Sequence, residues 1–389
     1  MALRDLWETA PDQLREKHIN QVIAFAGSGK LRDSGDASLE LRDFLSLVPS
    51  TFLSRYATEC LTEKFEDSGL ALQDVVNETG RRLGFEVENG VYRGSSKTIG
   101  FDGIWRSEGG KAIVVEVKTT DAYRIDLDTI AQYRTSLTQE GTILESGSSM
   151  LIVVGRQDTG DLEAQIRGSR HAWDTRLISV DALHGLMKLK ENLEEPIVVQ
   201  KIRDILSPRE YTKVDGIIDI VFATAEDVRY GDEPSEDHVE DEDDGEARRS
   251  PAAFHDACIE RVESVLGRRL VRRSRTMYSS ADGSLIVVCA VSRPHGSQGT
   301  PSYWYAFHPH QNESLKEGKD NFVAFGCGSE ENILLIPLAD FGSWLEGMNK
   351  TEKPDRFYWH VKIANEDGKY VLHRKKGYER VDLTPYLLA

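Results

Sequence analysis

The chain has 389 residues, 39% of them hydrophobic, and a formal net charge of −17. That length supports two or three domains with full cores, and the apolar fraction is that of a globular protein. No apolar run approaches a membrane span, and the opening MALRDLWETAPDQLREK lacks the apolar core of a signal peptide. Cys60, Cys258, Cys289 and Cys327 show no spacing of a zinc site or a small disulfide scaffold, so a reduced, cytoplasmic home is expected.

Residues 1 to 65 read as a helical segment, with helices over 11–26, 38–47 and 50–64 and with Ser38 and Ser50 as caps. Ala26-Gly27-Ser28-Gly29-Lys30 has the look of a phosphate-binding loop. It fails as one: position 24 is Ala, Leu31 replaces the Ser/Thr, and a helix precedes it where a strand is required. A loop between helices is the reading, in a segment suited to dimerisation or substrate clamping.

Residues 70–83 (LALQDVVNETGRRL) have helical spacing, with Leu72, Val75, Val76, Thr79 and Leu83 on one side and Gly84 as the stop. A strand is expected over 85–92. Next, residues 99–105 and 112–117 flank the turn-forming Ser107-Glu108-Gly109-Gly110, which predicts an antiparallel hairpin. A turn centred on Gly109 sets Asp102 opposite Glu116, with Cβ atoms about 5 Å apart, and leaves Lys118 on the same face. Ile113, Val115 and Val117 then make the hairpin's hydrophobic side.

Two carboxylates that close raise one another's pKa unless a cation neutralises them, and an all-oxygen pair suits Mg²⁺. A neighbouring lysine can stabilise a developing phosphate charge or orient the attacking water, which describes metal-assisted phosphodiester hydrolysis. A lone Glu-x-Lys on a strand is more commonly a solvated charge pair. The elements around this one carry the argument: a second helix is expected over 126–137, a short buried strand over 150–155, and a last strand and helix within 176–189.

With Asp102-Gly103 and Glu116-Val117-Lys118, residues 66 to 190 resemble the PD-(D/E)xK nuclease superfamily, in its Mrr-type restriction branch. The proline that often precedes the aspartate is absent. The resemblance implies an α/β fold with a restriction-endonuclease-like core (αβββαβ). It implies a metal-dependent endonuclease acting on DNA in restriction or antiviral defence, with Mg²⁺ as cofactor and Mn²⁺ able to substitute. Asp102, Glu116 and Lys118 are then the catalytic set, and Asp102 and Glu116 metal ligands. A further acidic ligand is expected from the preceding helix, where Glu78 and Asp74 lie one turn apart; Glu78 is taken as the ligand. Gln132 and Tyr133 echo a Gln/Tyr pair of RecB-like relatives at altered spacing, and Gln132 is assigned to nucleic-acid binding.

The stretch 155–174 holds Arg156, Arg167, Arg170 and His171 after a buried strand, where loops of α/β sheets carry function. Arg167 and Arg170 are expected to grip substrate phosphates, against the alternative of ion pairs to Asp158, Asp161 or Glu163. Residues 66–225 are taken as the nuclease domain. Residues 226–249 hold twelve Asp or Glu against three Arg, leaving −8 for the rest of the chain. That run, within 226–250, reads as a disordered acidic linker, with a nucleic-acid mimic that autoinhibits the site as the functional alternative.

Beyond it, residues 251–389 read as an α+β domain for recognition, sensing or dimerisation. A helix is expected over 254–266, strands near 276, 285–292, 303–307, 322–325, 333–336 and 359–363, and a helix over 338–348. Tyr303, Tyr305 and Phe307 share one strand face and Trp304 takes the other, a density of rings able to cage a base. The clusters Arg268-Arg269 with Arg272-Arg273-Arg275, and Arg374-Lys375-Lys376, are the local basic patches. DNA is the expected partner, with RNA left open; a homodimer is expected because one site cuts one strand. The need for an activating partner or ligand is open. The alternative function is a catalytically silent nucleic-acid-binding or sensor protein that kept the fold.

Overall fold

The structure, a computed structural model, describes residues 3–92, 99–119, 124–155, 159–193, 195–208, 224, 251–295, 300–353 and 356–388. The chain divides into two compact units, Met1–Gly231 and Asp232–Ala389, both of mixed α/β character. The acidic run therefore spans the division; it lies outside the described residues, as does Arg156.

In the first unit, α1 (Leu3–Thr9), α2 (Asp12–Arg15), α3 (Ile19–Phe25), α4 (Asp36–Leu47) and α5 (Ser50–Thr62) precede α6 (Ser68–Arg82). The single helix expected over 11–26 is broken at Glu16–His18, and the His18 backbone N–H is capped by Gln21 Oε1 at 3.1 Å. Ser50 opens α5 with Pro49 in the cap position, while Ser38 lies inside α4, where its hydroxyl accepts from Arg32 N at 3.0 Å. Residues 26–30 are indeed a loop between helices, with Gly27 and Gly29 at positive φ. These helices are not a separate domain: α4 and α5 pack directly on α6 within the same unit.

The rest of the unit is β1 (Glu86–Asn89), β2 (Gly103–Arg106), β3 (Ala112–Lys118), α7 (Leu127–Gln139), β4 (Ser148–Val154), α8 (Gly160–Arg167), β5 (Thr175–Ser179), α9 (Val180–Glu191) and α10 (Pro196–Arg203). The five strands form one sheet in chain order, antiparallel from β1 to β3 and parallel from β3 to β5. Side chains cap two of the helices: Asp126 Oδ1 accepts from Thr129 N on α7, and Ser179 Oγ accepts from Ala182 N on α9.

Both sheet faces are covered, so residues 112–116 of β3 are buried without alternation, and the hairpin has no single hydrophobic side. On one face Trp105 lies over Gly80 of α6, where an added Cβ would meet the indole at 2.5 Å. On the other, Ala112, Val114 and Ile104 pack with Leu137 and Tyr133 of α7, and Met150, Ile152 and Val154 of β4 pack with Ile130, Leu162 and Ile166.

The second unit opens with α11 (Pro251–Leu266). One sheet joins β6 (Val271–Arg272), β7 (Met277–Ser279), β8 (Leu285–Ser292), β10 (Asp320–Cys327) and β11 (Ile333–Pro337); the other joins β9 (Ser302–Phe307) to β12 (Lys350–Lys353), β13 (Arg356–Glu366), β14 (Lys369–His373) and β15 (Val381–Asp382). Two short helices, α12 (Pro309–Leu315) and α13 (Leu338–Trp344), complete it. A core of Tyr303, Tyr305, Phe307, Phe325, Phe341 and Val361 lies between the sheets, and α11 covers the far face of the first. Tyr303, Tyr305 and Phe307 are thus core residues and form no cage.

Candidate functional site

The β2–β3 register pairs Gly103 with Val115, Ile104 with Val114 and Trp105 with Ile113. Gly109 and Gly110, both at positive φ, make the turn that sets it. Asp102 lies just beyond β2, where the ladder is interrupted: its N–H donates at 3.1 Å to Val115 O, on the residue already paired with Gly103, and its carboxylate Oδ2 accepts from Val117 N at 2.6 Å. The strand pairing itself ends at Gly103 with Val115, yet the Asp102 carboxylate lies near enough to Glu116 to be acted on by its charge, and Lys118 Nζ lies on Glu116 Oε1 at 2.5 Å.

Asp102 is held from behind as well. Its carbonyl accepts from Gln73 Nε2 at 3.0 Å, Asn77 Nδ2 at 2.8 Å and Gly90 N at 2.9 Å. Asn77 Oδ1 in turn accepts the Trp105 indole N–H at 3.0 Å, and Gly103 leaves the room: a Cβ there would stand 2.2 Å from that oxygen. Two buried amides of α6 thus spend their hydrogen bonds fixing one backbone position.

The carboxylates are poorly compensated. Glu116 is 8% exposed, and its buried Oε2 has no hydrogen-bond partner among the described residues. Burial, and next the charge of Glu116, push Asp102 up to about 7. Burial raises Glu116 too, against the opposing pull of Lys118. Burial works against the charge of Lys118, but Glu116 and then Asp102 outweigh it and hold the ammonium above its ordinary value. Lys118 is thus a fixed cation, unable to act as a base near neutrality.

Tyr133, half-buried on α7, completes the constellation. Burial raises its phenol, and the charges of Glu116, Lys118 and Asp102 all act on it. Helical spacing could have found it, since Ile130, Tyr133 and Leu137 share the inward stripe of α7. Gln132, the residue assigned to substrate, takes the outward side; it is exposed and its Nε2 donates to Ser136 Oγ at 3.4 Å.

Glu78 is not gathered with the pair. It sits on α6, across the sheet from the face that Glu116 presents, with Oε1 on Arg82 Nε at 2.8 Å and Oε2 on Arg81 Nη1 at 3.4 Å. Arg82, 2% exposed, reaches on to the carbonyls of Leu45, Ser46 and Val48. Glu78 therefore neutralises the guanidinium that ties α4 to α6. Asp74 is likewise committed, to Arg42 Nε at 2.8 Å and to the Tyr92 hydroxyl.

Arg167 ends α8 exposed to solvent. Arg170 pairs with Asp128 at the start of α7, Nη2 to Oδ1 at 2.7 Å, and His171 Nε2 shares that oxygen at 2.9 Å. Its acidic partner is thus neither Asp161 nor Glu163; Asp158 lies outside the described residues. The basic cluster of the second unit is also partly committed: Arg268 pairs with Asp282 and Arg269 with Glu263, each at 2.9 Å. The chain matches no family model and no curated protein.

Proposed function

We propose that the protein is a Mg²⁺-dependent nuclease that hydrolyses DNA phosphodiester bonds, with Asp102 and Glu116 as metal ligands and Lys118 as the cation beside them. One observation carries the reading: among the described residues a buried carboxylate oxygen, Glu116 Oε2, has no donor, while the neighbouring acid, Asp102, is pushed up to about 7. Such a pair is costly as it stands, and a hard divalent cation with oxygen ligands removes the cost. The order helix, three strands, helix, strand from α6 to β4, with the Asp and Glu-x-Lys on the hairpin, supports a restriction-endonuclease-like core.

The residues present fit such a cation. Bound there, it would polarise the scissile phosphate and lower the pKa of a coordinated water. The chain's own contribution is placement. Val117 N and the α6 amides fix Asp102, so the carboxylate does not reorganise when charge develops. Lys118, held charged, faces the negative charge that accumulates on the phosphate. Tyr133 on α7 lies near enough for the charges of Glu116, Lys118 and Asp102 to act on its phenol.

The test is purified protein with plasmid DNA and Mg²⁺ or Mn²⁺, beside EDTA and Lys118→Ala controls. Cleavage abolished in both controls is expected. Absence of cleavage with either metal, on modified and unmodified plasmid alike, overturns the reading in favour of a silent binding or sensor protein. Double-strand cuts would call for two sites, hence a homodimer, checked by light scattering of the same preparation.

A further inference from the structure

The second unit contains a surface that the cleavage site does not use. The inner faces of its two sheets enclose the core, and α11 covers the first sheet, whereas the outer face of the sheet of β9 and β12–β15 is met by the ring of His308, which caps α12 and lies 5.7 Å from Tyr358. Register places Trp304 beside Lys362, Ala306 beside His360 and Thr351 beside Tyr358 on that outer face, alternating with the buried Tyr305, Val361 and Trp359. Trp304, Tyr358 and His360 are half-buried, each leaving part of its ring to solvent.

The rings are pre-set by one another. Trp304 Nε1 donates to His360 Nδ1 at 3.0 Å, and Thr351 Oγ1 lies 2.6 Å from His360 Nε2. Trp304 meets Tyr358 edge-on at 6.2 Å, and Tyr358 lies against His360 at 5.2 Å. Cations border the group. Lys362 is exposed on β13 and forms no ion pair among the described residues. Its register partner His373 ends β14, and the next turn presents exposed Lys375 and Lys376, with Arg374 and Lys375 over the ring of Tyr378.

We propose that this face is a stacking platform for single-stranded nucleic acid, with bases on Trp304 and Tyr358 and phosphates on Lys362, Lys375 and Lys376. Charge suits such an occupant: Lys362 on β13 and Lys375 and Lys376 after β14 are exposed, in a unit where residues 251–389 carry 18 Lys or Arg against 17 Asp or Glu, whereas residues 1–225 carry 27 against 36. The face is also too polar for an apolar protein partner, with Ser302, Thr351, His360 and Lys362 set between the rings. A duplex hides its base faces; a single strand offers them, and stacking tolerates any sequence.

The experiment uses the full chain in EDTA, so that hydrolysis plays no part, and follows the anisotropy of labelled oligo(dT) and oligo(U) of about 20 nucleotides and of a duplex of equal length. Wild type is expected to prefer the single strands. Trp304→Ala and Tyr358→Ala are each expected to weaken binding about 10-fold or more, with Trp304→Phe, which keeps a ring, close to wild type. Replacing Lys362 and Lys376 together by Ala should flatten the salt dependence by about 1.4 in log–log slope. A wild type that prefers duplex or binds no strand, or an Ala variant that melts like wild type and binds unchanged, overturns the platform. Failure of the nuclease reading shows elsewhere, as absent metal-dependent plasmid cleavage.

Discussion

Two groups of buried acids flank the central sheet of the first unit, and they are built on opposite terms. On the α6 face, Glu78 and Asp74 each meet a guanidinium of their own, Asp74 also accepts from the Tyr92 hydroxyl, and Arg82 Nη2 reaches three carbonyls, although burial raises Asp74 and Arg82 Nη1 has no partner among the described residues. On the α7 face, Asp102 and Glu116 share one lysine, Glu116 Oε2 has no donor among the described residues, and both acids resist ionisation. In the first arrangement every acid has its own cation, and the pairs hold the chain together. The second is incomplete, and completion from outside is what a ligand site requires.

The largest expected effect breaks the side where each acid has its own cation. Glu78→Gln keeps the shape but leaves the Arg82 guanidinium buried without its anion, which should cost about 3–5 kcal/mol in denaturant unfolding. Metal affinity, measured by Mn²⁺ titration of the folded variant, should not change. A matched loss of Mn²⁺ binding would return Glu78 to the metal's shell and end the contrast.

Lys118→Ala acts on the other side. Its ammonium is partly exposed and serves a pair that is strained in any case, so unfolding should shift little, while cleavage of plasmid falls by about 10²- to 10³-fold. Full activity in the variant would take the cation out of the chemistry.

The sign of the pH dependence sharpens the same contrast. An acid raised from 3.8 to about 7 in the folded chain binds protons more tightly there than when unfolded. Its favourable contribution is complete below pH 4 and is lost as pH rises through 7. Metal-free protein should therefore melt lower at pH 8 than at pH 5, by roughly 5 °C from this pair. Asp102→Asn, whose amide oxygen can still accept from Val117 N, should remove much of that slope, and Mg²⁺ should restore wild type at pH 8 but not the variant. Equal slopes in both proteins would mean that Asp102 ionises without penalty.

Much of this was legible in the sequence because it rests on local rules. The turn at Gly109 fixes the pairing of β2 with β3 as far as Gly103 with Val115, and the next residue, Asp102, is thereby close enough to Glu116 to feel its charge. Helical spacing gave α6 over 70–83, observed as Ser68–Arg82, and the C-terminal helix and strands fell within a few residues of their expected places. What failed needed a third dimension. Nothing local says that the hairpin is covered on both sides, that α4 and α5 belong to the same unit, or that Gln73 and Asn77 reach the carbonyl of Asp102. Glu78 is a different case, since Arg82 stands four residues on, and that spacing alone offered the carboxylate a partner other than a metal.

The smallest effect concerns the arginines beyond the sheet. Arg170 is held to Asp128 in a surface pair whose side chains are 77% and 69% exposed, and such pairs contribute little to stability. Arg170→Ala should therefore leave the melting temperature within error. Its use to substrate is a separate matter, because an exposed guanidinium can leave a carboxylate for a phosphate at small cost. If it grips the backbone, the variant should lower duplex affinity by a few-fold and reduce the salt slope by about 0.9, with kcat unchanged once DNA saturates. Unchanged affinity and slope would confine Arg170 to its pair with Asp128, and pass that task to exposed Arg167 at the end of α8.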